Sequence, residues 1–177
     1  MGYDIINKGG YEMELIEYND NDQDLLANMM TEFSIKHLEM LKHPYQKEQI
    51  LSEAYTEIQN YKKEPYKIYL GKVKDKFIGF MILEFRSKQV CWIENLFVIE
   101  GQRNQGYGSQ MISEAKTLAQ KEGCEALSID VVPRNCDAIR LYLKLGFDSL
   151  SMITLRQDFN QSYRDQKIDI LGNTFKY

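Results

Sequence analysis

Nowhere in the sequence does an apolar run approach the roughly 20 residues that a helix needs to cross a bilayer. The N-terminus lacks the charged-then-apolar pattern of a secretion signal. It begins Met1-Gly2, yet Ile6 stands where a myristoylation signal requires Ser or Thr. Cysteine is scarce: Cys91, Cys124 and Cys136 are odd in number, scattered and not at metal-ligand spacing, as expected of free thiols in a reducing compartment. Positive charge is not in excess either. Lys and Arg number 22 against 26 Asp and Glu, a net charge of −4. That argues against general nucleic-acid binding, which depends on neutralising many phosphates, but leaves room for one anionic ligand at a local positive site. His37 and His43 have no ligand-spaced companions, so no metal is expected. These absences predict a cytoplasmic protein with neither a membrane nor a nucleic-acid partner.

What is present reads as one soluble domain over residues 1–177, with residues 1–10 a loose lead-in broken at Gly9-Gly10. Met13 to Tyr18 reads as a strand, ended by the cap-forming run Asn19 to Asp22. Leu25, Leu26, Met29, Met30, Phe33 and His37 recur at helical spacing up to Leu41, and Pro44 interrupts the pattern. A second helix is predicted from Lys47 to Lys62, closed by Pro65. Strands follow at Tyr66–Val73 and Phe77–Phe85, joined at Lys74-Asp75-Lys76, and then at Val90–Ile99. The last is nearly continuous in apolar residues, as befits the middle of a sheet. A helix at Gly106–Lys121 precedes Gly123, a strand spans Ala126–Val132, and a short helix runs from Asp137 to Leu145. Phe147–Leu155 and Lys167–Leu171 are the remaining predicted strands. The order is that of a mixed α/β chain, with hairpins first and crossovers later.

The most informative stretch is Trp92 to Ser109, an apolar strand that hands a glycine-bearing loop to a helix start. Unpartnered N–H groups at a helix start, together with the helix dipole, form a cradle for an anion. The loop reads Arg103-Asn104-Gln105-Gly106-Tyr107-Gly108-Ser109. It is not a Walker loop, because Ser109-Gln110 follows Gly108 where Lys-Ser/Thr is needed. It is not a dinucleotide fingerprint, because Met111 stands where a third glycine belongs. The glycines allow the backbone to approach a pyrophosphate. Tyr107, between them, must turn its side chain away. Arg103 either adds a charge-assisted contact or braces the loop.

Leu96-Phe97-Val98, the Arg103–Gly108 loop, and the block Asn135-Cys136-Asp137-Ala138-Ile139-Arg140-Leu141-Tyr142 through Gly146-Phe147 together resemble the GCN5-related N-acetyltransferase (GNAT) superfamily. The loop matches its Gln/Arg-x-x-Gly-x-Gly/Ala signature and the later block its Asn-x-x-Ala-x-x-Leu-Tyr-x-x-x-Gly-Phe pattern. The resemblance implies a mainly antiparallel twisted sheet of about six or seven strands flanked by about four helices. It also implies acetyl-CoA as donor, held by Phe97, Val98, Arg103, Asn104, Gln105, Gly106, Tyr107, Gly108, Ser109 and Asn135.

In that family the Tyr142 position is the usual general acid for the departing thiolate, and a phenol with an ordinary pKa near 10 is protonated at neutral pH. The plainer reading is a tyrosine packed beside Ala138 and Leu145. Asn135 reads as a contact to the pantetheine arm, as a helix N-cap, or as both. Glu94 is the candidate base for the incoming ammonium, with Asp130 a weaker rival. The family splays its fourth strand from its fifth by a bulge near Phe97 and Val98, freeing amides to polarise the thioester carbonyl. Cys136 is read as a bland small side chain.

The acceptor wall that the resemblance implies draws on Met29, Met30, Phe33, His37 and Tyr45. Gln161-Ser162-Tyr163 lacks the paired tyrosines of enzymes that acetylate protein N-termini, which favours a small-molecule amine over a peptide or protein amine. A catalytically idle acyl-CoA sensor is the rival from another class, disfavoured because Tyr142 and the loop glycines are all present. Pairing through sheet edges or C-terminal strands makes a homodimer an expectation of the same resemblance.

Overall fold

In a computed structural model the described residues are 12–159 and 164–177; the lead-in 1–10 and the Gln161–Tyr163 stretch lie outside them. The elements are β1 (Glu14–Glu17), α1 (Gln23–Met40), α2 (Lys47–Tyr61), β2 (Tyr66–Val73), β3 (Lys76–Phe85), β4 (Val90–Val98), α3 (Tyr107–Lys121), β5 (Ala126–Ile129), α4 (Cys136–Lys144), β6 (Lys167–Ile170) and β7 (Asn173–Lys176). Contacts divide the chain into two compact units. The first takes residues up to Ile35 and Tyr45–Asp130, and the second takes Lys36–Pro44 and Val131–Tyr177.

The first unit holds a five-stranded sheet in the order β1-β2-β3-β4-β5. The pairs β1–β2, β2–β3 and β3–β4 are antiparallel and β4–β5 is parallel, the return being made through α3. This is the expected mixed α/β fold with four helices, and its sheet has fewer strands than six or seven. Lys74-Asp75 forms a two-residue turn between β2 and β3, with Lys74 at φ 54°. One face of the sheet carries Ile68, Leu70, Phe80, Ile82 and Phe97 against Leu26, Met29, Met30, Ala54 and Ile58 of α1 and α2. α3 contributes the buried Tyr107, Met111, Ile112, Ala115 and Ala119. The helix ends in a Schellman cap: Gly123 sits at φ 79° and the Cys124 N–H donates to Ala119 O at 2.9 Å.

In the second unit α4 ends the same way. Gly146 lies at φ 89°, the Phe147 N–H donates to Tyr142 O at 3.0 Å, and the Phe147 and Tyr142 rings pack at 5.8 Å. The Tyr-x-x-x-Gly-Phe spacing is therefore a helix stop closed by its own apolar contact. The predicted strand at Phe147–Leu155 does not form. Its alternating apolar residues suit a strand, but a ladder requires a partner, and among the described residues 148–158 belong to none. The last predicted strand is instead a two-stranded ribbon, β6–β7, turned by Leu171 (φ 51°) and Gly172 (φ 75°). Successive positive φ angles make the twist-matched hairpin turn. Leu in place of the usual Asn or Gly at the first turn position hides it from the sequence.

Candidate active site

β4 is the strand around which the first unit's functional groups gather. β5 accompanies it only from Val90 to Ile93, so Glu94 to Val98 are paired with β3 alone. The Ile99 N–H donates to Ile78 O at 2.9 Å, which fixes the phase of the β3–β4 ladder. The hydrogen-bonded pairs are thus Ile78–Ile99, Phe80–Phe97 and Ile82–Asn95, and the backbone groups of Leu96 and Val98 turn to the edge that β5 has left. Phe97, expected to offer backbone groups to a ligand, gives them to β3, and its ring is buried beside Phe33 and Phe80. Leu96 takes that place in the alternation. Gly79 permits the close approach of the strands here: a Cβ on it would lie 2.1 Å from Phe97 O.

Beyond Val98 the chain turns through the loop. Arg103 donates from Nε to Val98 O at 2.8 Å and lays its guanidinium over the Phe97 ring at 5.4 Å, so it braces the loop against the strand that precedes it. Asn104 at φ 61° and Gly106 at φ 88° are both left-handed. Gln105 reaches back to Gly101 O at 3.3 Å and Gln102 Oε1 at 3.4 Å. Gly106 occupies the N-cap of α3 and has no side chain to cap it, so the N–H groups of the first turn, including those of Gly108 and Ser109, have no side-chain cap. A Cβ on Gly106 would meet no atom within 4 Å, so these backbone donors lie open to a ligand. Tyr107 is 2% exposed and packs into the core, away from those donors. These are the features a pyrophosphate requires.

At the other end of the open edge β4 bulges. Ile82 pairs with Asn95 and Leu83 with Ile93, so Glu94 is the extra residue. The bulge gathers residues that strict alternation would send to opposite faces. Arg86 donates to Glu94 at 3.0 Å and also to Glu84, with its guanidinium 4.3 Å from the Trp92 ring. Glu84 lies across from both Tyr66 and Trp92 in the ladder, and its carboxyl is within hydrogen-bonding reach of Glu94. Asn95 donates to the Tyr61 hydroxyl at 3.4 Å, and the Tyr61 and Tyr66 rings pack edge to face at 5.0 Å. Burial, then Glu84, raise the Glu94 carboxyl above its ordinary range, while Arg86 opposes them. Burial, with Glu57 and Glu94, pushes the Tyr61 phenol up to about 12.

Asp130 lies exposed just past the end of β5. Met29 and Met30 of the expected acceptor wall are core residues, Phe33 packs on Phe80 and Phe97, and Tyr45 is exposed. His37 falls near the end of α1, in the second unit. The same unit carries Tyr142, half-buried on α4, its phenol pushed up to about 12 by burial. Asn135 is the N-cap of α4, accepting the Ala138 N–H at 3.3 Å, and Cys136 is exposed beside it. Among the described residues no cluster of side chains could hold a metal ion, and no helix is long and apolar enough to cross a membrane.

Sequence reasoning passed over Glu84, Arg86, Tyr61 and Tyr66. One signal was available: Glu84 and Arg86 share a face at the end of the otherwise apolar run Phe80 to Phe85, where a charged pair needs partners.

Residues 33–147 match the model of the acetyltransferase (GNAT) family, and the chain belongs to that family, whose members use acetyl-CoA. Among curated proteins, aminoglycoside N(6')-acetyltransferase type 1 of Serratia marcescens is 33% identical over 61 residues. That stretch covers 34% of this chain and 42% of the relative, so the match spans less than half of the relative's length. Among solved structures, the aminoglycoside acetyltransferase AAC(6')-Iy, bound to the bisubstrate analogue CoA-S-monomethyl-acetylneamine, superposes with a TM-score of 0.63. It is 17% identical, with 83% of this chain and 98% of that one covered. A transcriptional regulator from Bacillus halodurans C-125 also gives 0.63, at 20% identity over 84% of this chain and 100% of that one. At those identities the likeness is one of fold.

Proposed function

We propose that the chain is an N-acetyltransferase that moves acetyl from acetyl-CoA directly to the amine of a small cationic molecule. The observation that carries this reading is the continuity of one edge. The bulge at Glu94, the outward backbone groups of Leu96 and Val98, and the left-handed loop into α3 follow one another within fifteen residues, Glu94 to Gly108.

The open space at Gly106 suits the coenzyme's pyrophosphate, with the N–H groups at the start of α3 as donors and Asn104, Gln105, Gly108 and Ser109 around them. Acetyl-CoA supplies an activated acetyl thioester when bound. The amides of Leu96 and Val98 are the donors available to polarise a carbonyl along the open edge. Glu94 takes the proton from the attacking ammonium; a carboxyl raised by burial is better matched to that task than an ordinary one. On the family pattern Tyr142 gives a proton to the departing sulfur, and its raised pKa keeps it protonated at neutral pH.

The acceptor class rests on the bulge cluster. Three aromatic rings (Tyr61, Tyr66, Trp92) and three carboxyls, Glu57, Glu84 and Glu94, against the single guanidinium of Arg86 set between two of them, favour a cation over an anion or a neutral amide. The relative from Serratia marcescens, named for an aminoglycoside acceptor, agrees with this class. The test is acetyl-CoA-dependent thiol release over a panel of polyamines, aminocyclitols, aromatic amines and peptides. Turnover confined to the cationic small molecules supports the proposal. Turnover confined to peptides overturns the acceptor class, and acetyl-CoA binding without turnover of any amine identifies a sensor.

A further inference from the structure

We propose that Glu84 and Arg86 are positioning residues that set the protonation and direction of Glu94, through a single guanidinium shared between two carboxyls. The inference deepens the reading of Glu94 as base and rests on it.

Arg86 follows Glu84 by two residues at the end of β3, so both side chains leave the same face. Glu94 lies two residues beyond Trp92, the ladder partner of Glu84, and so shares that face, and one planar fork contacts both carboxyls, Glu84 through Nε and Glu94 through a terminal nitrogen at 3.0 Å. The Trp92 ring, 4.3 Å from the guanidinium, supports the fork from its flat side. Glu84 is nearly buried, with its side chain 11% exposed, and cannot turn to solvent as an ordinary surface carboxylate would. Glu94, at 24%, is the more accessible of the two carboxyls.

The groups around Glu94 are Tyr61 on α2 (with Glu57 acting on Tyr61 in turn), Tyr66 on β2, Glu84 on β3 and Arg86 just past its end. β4 adds only the uncharged Trp92 and Asn95, and Asp130 stands exposed beyond β5. Of these, Glu84 and Arg86 touch Glu94 and act with opposite sign. The like charge of Glu84 holds the Glu94 proton more tightly, and the guanidinium loosens it. A ligand is not needed for either effect.

The test follows the acid limb of kcat/KM against pH, and in parallel the titration of the Glu94 carboxyl by carbon-13 NMR of the free protein. Glu84→Gln is expected to move both midpoints down by about one pH unit and Arg86→Gln to move both up by a similar amount. Arg86→Lys, which keeps charge without the fork, is expected to restore the midpoint partly and kcat poorly. Glu94→Gln is the reference. If it flattens the acid limb while Glu84→Gln leaves both midpoints in place, the inference is overturned and the base assignment stands. If Glu94→Gln leaves the acid limb intact, the base assignment itself fails and the inference with it. Melting curves establish that each variant is folded, and because Glu84→Gln alone is decisive, loss of the Arg86 variant would not spare the proposal.

Discussion

The Nε–H of Arg103 donates to the carbonyl oxygen of Val98 at 2.8 Å, tying the start of the glycine loop to the last residue of the strand that feeds it. Four residues of chain separate them, and the contact fixes how the loop leaves the open edge of β4. A bond to a charged donor stabilises by roughly 1.5–3 kcal/mol, enough to hold two left-handed residues in place.

Arg103→Ala is therefore expected to loosen the cradle without unfolding the sheet. Steady-state kinetics should show KM for acetyl-CoA rising about ten-fold, equivalent to ~1.4 kcal/mol, with kcat changed far less. Arg103→Lys should recover only part of the loss, because an ammonium cannot both meet Val98 and lie flat over Phe97.

Two glycines differ in what they are for. Gly79 has Phe97 O where its Cβ would be, at 2.1 Å, whereas a Cβ on Gly101 would meet nothing within 4 Å. Gly79→Ala should destabilise the protein by about 1–3 kcal/mol through forced separation of β3 and β4, while Gly101→Ala should stay within about 0.5 kcal/mol of the parent. Urea unfolding curves distinguish them, and equal midpoints would contradict the tight crossing at Gly79.

Gly106 separates conformation from space. Its surroundings are open but its φ is 88°, so Gly106→Ala should cost about 1–2 kcal/mol of backbone strain and weaken coenzyme binding moderately. Gly106→Asp adds a negative charge beside the N–H groups at the start of α3 and should abolish binding. Calorimetric titration with coenzyme A measures both, and undiminished affinity in the aspartate variant would remove the cradle assignment.

Tyr142→Phe should lower kcat on the order of a hundredfold, with KM for acetyl-CoA little changed, if the phenol is the acid. Burial raises this phenol from 10.0 to about 12, so its linked contribution to stability is complete below pH 10 and is lost as pH rises through about 12. The difference between parent and variant in ultraviolet tyrosinate titration should therefore show one phenol ionising near 12. A phenol titrating at 10 would contradict its burial.

Much of the local structure was legible in the chain itself. The loop Arg103 to Ser109, the α3 that follows it, the C′ glycines 123 and 146 and the buried Tyr107 are local: each depends on residues within a turn or two, where spacing and glycine placement decide the backbone. Glu94 was also singled out, but not its company. Glu84, Arg86 and Tyr66 reach it because Glu84 pairs with both Tyr66 and Trp92, the bulge adds Asn95 with its bond to Tyr61, and such cross-strand register leaves no mark in composition or periodicity. The same holds for Leu96 replacing Phe97 at the open edge, since which amides face outward depends on the phase of a ladder with a distant strand. The strand expected at Phe147–Leu155 shows the converse. An alternating pattern makes a segment able to pair, but only a partner's backbone makes it a strand. The sequence by itself determined the local devices, the loop, the caps and the helix faces. The tertiary structure alone decided which carboxyls share an arginine and which backbone amides are left to a ligand, because long-range pairing sets both.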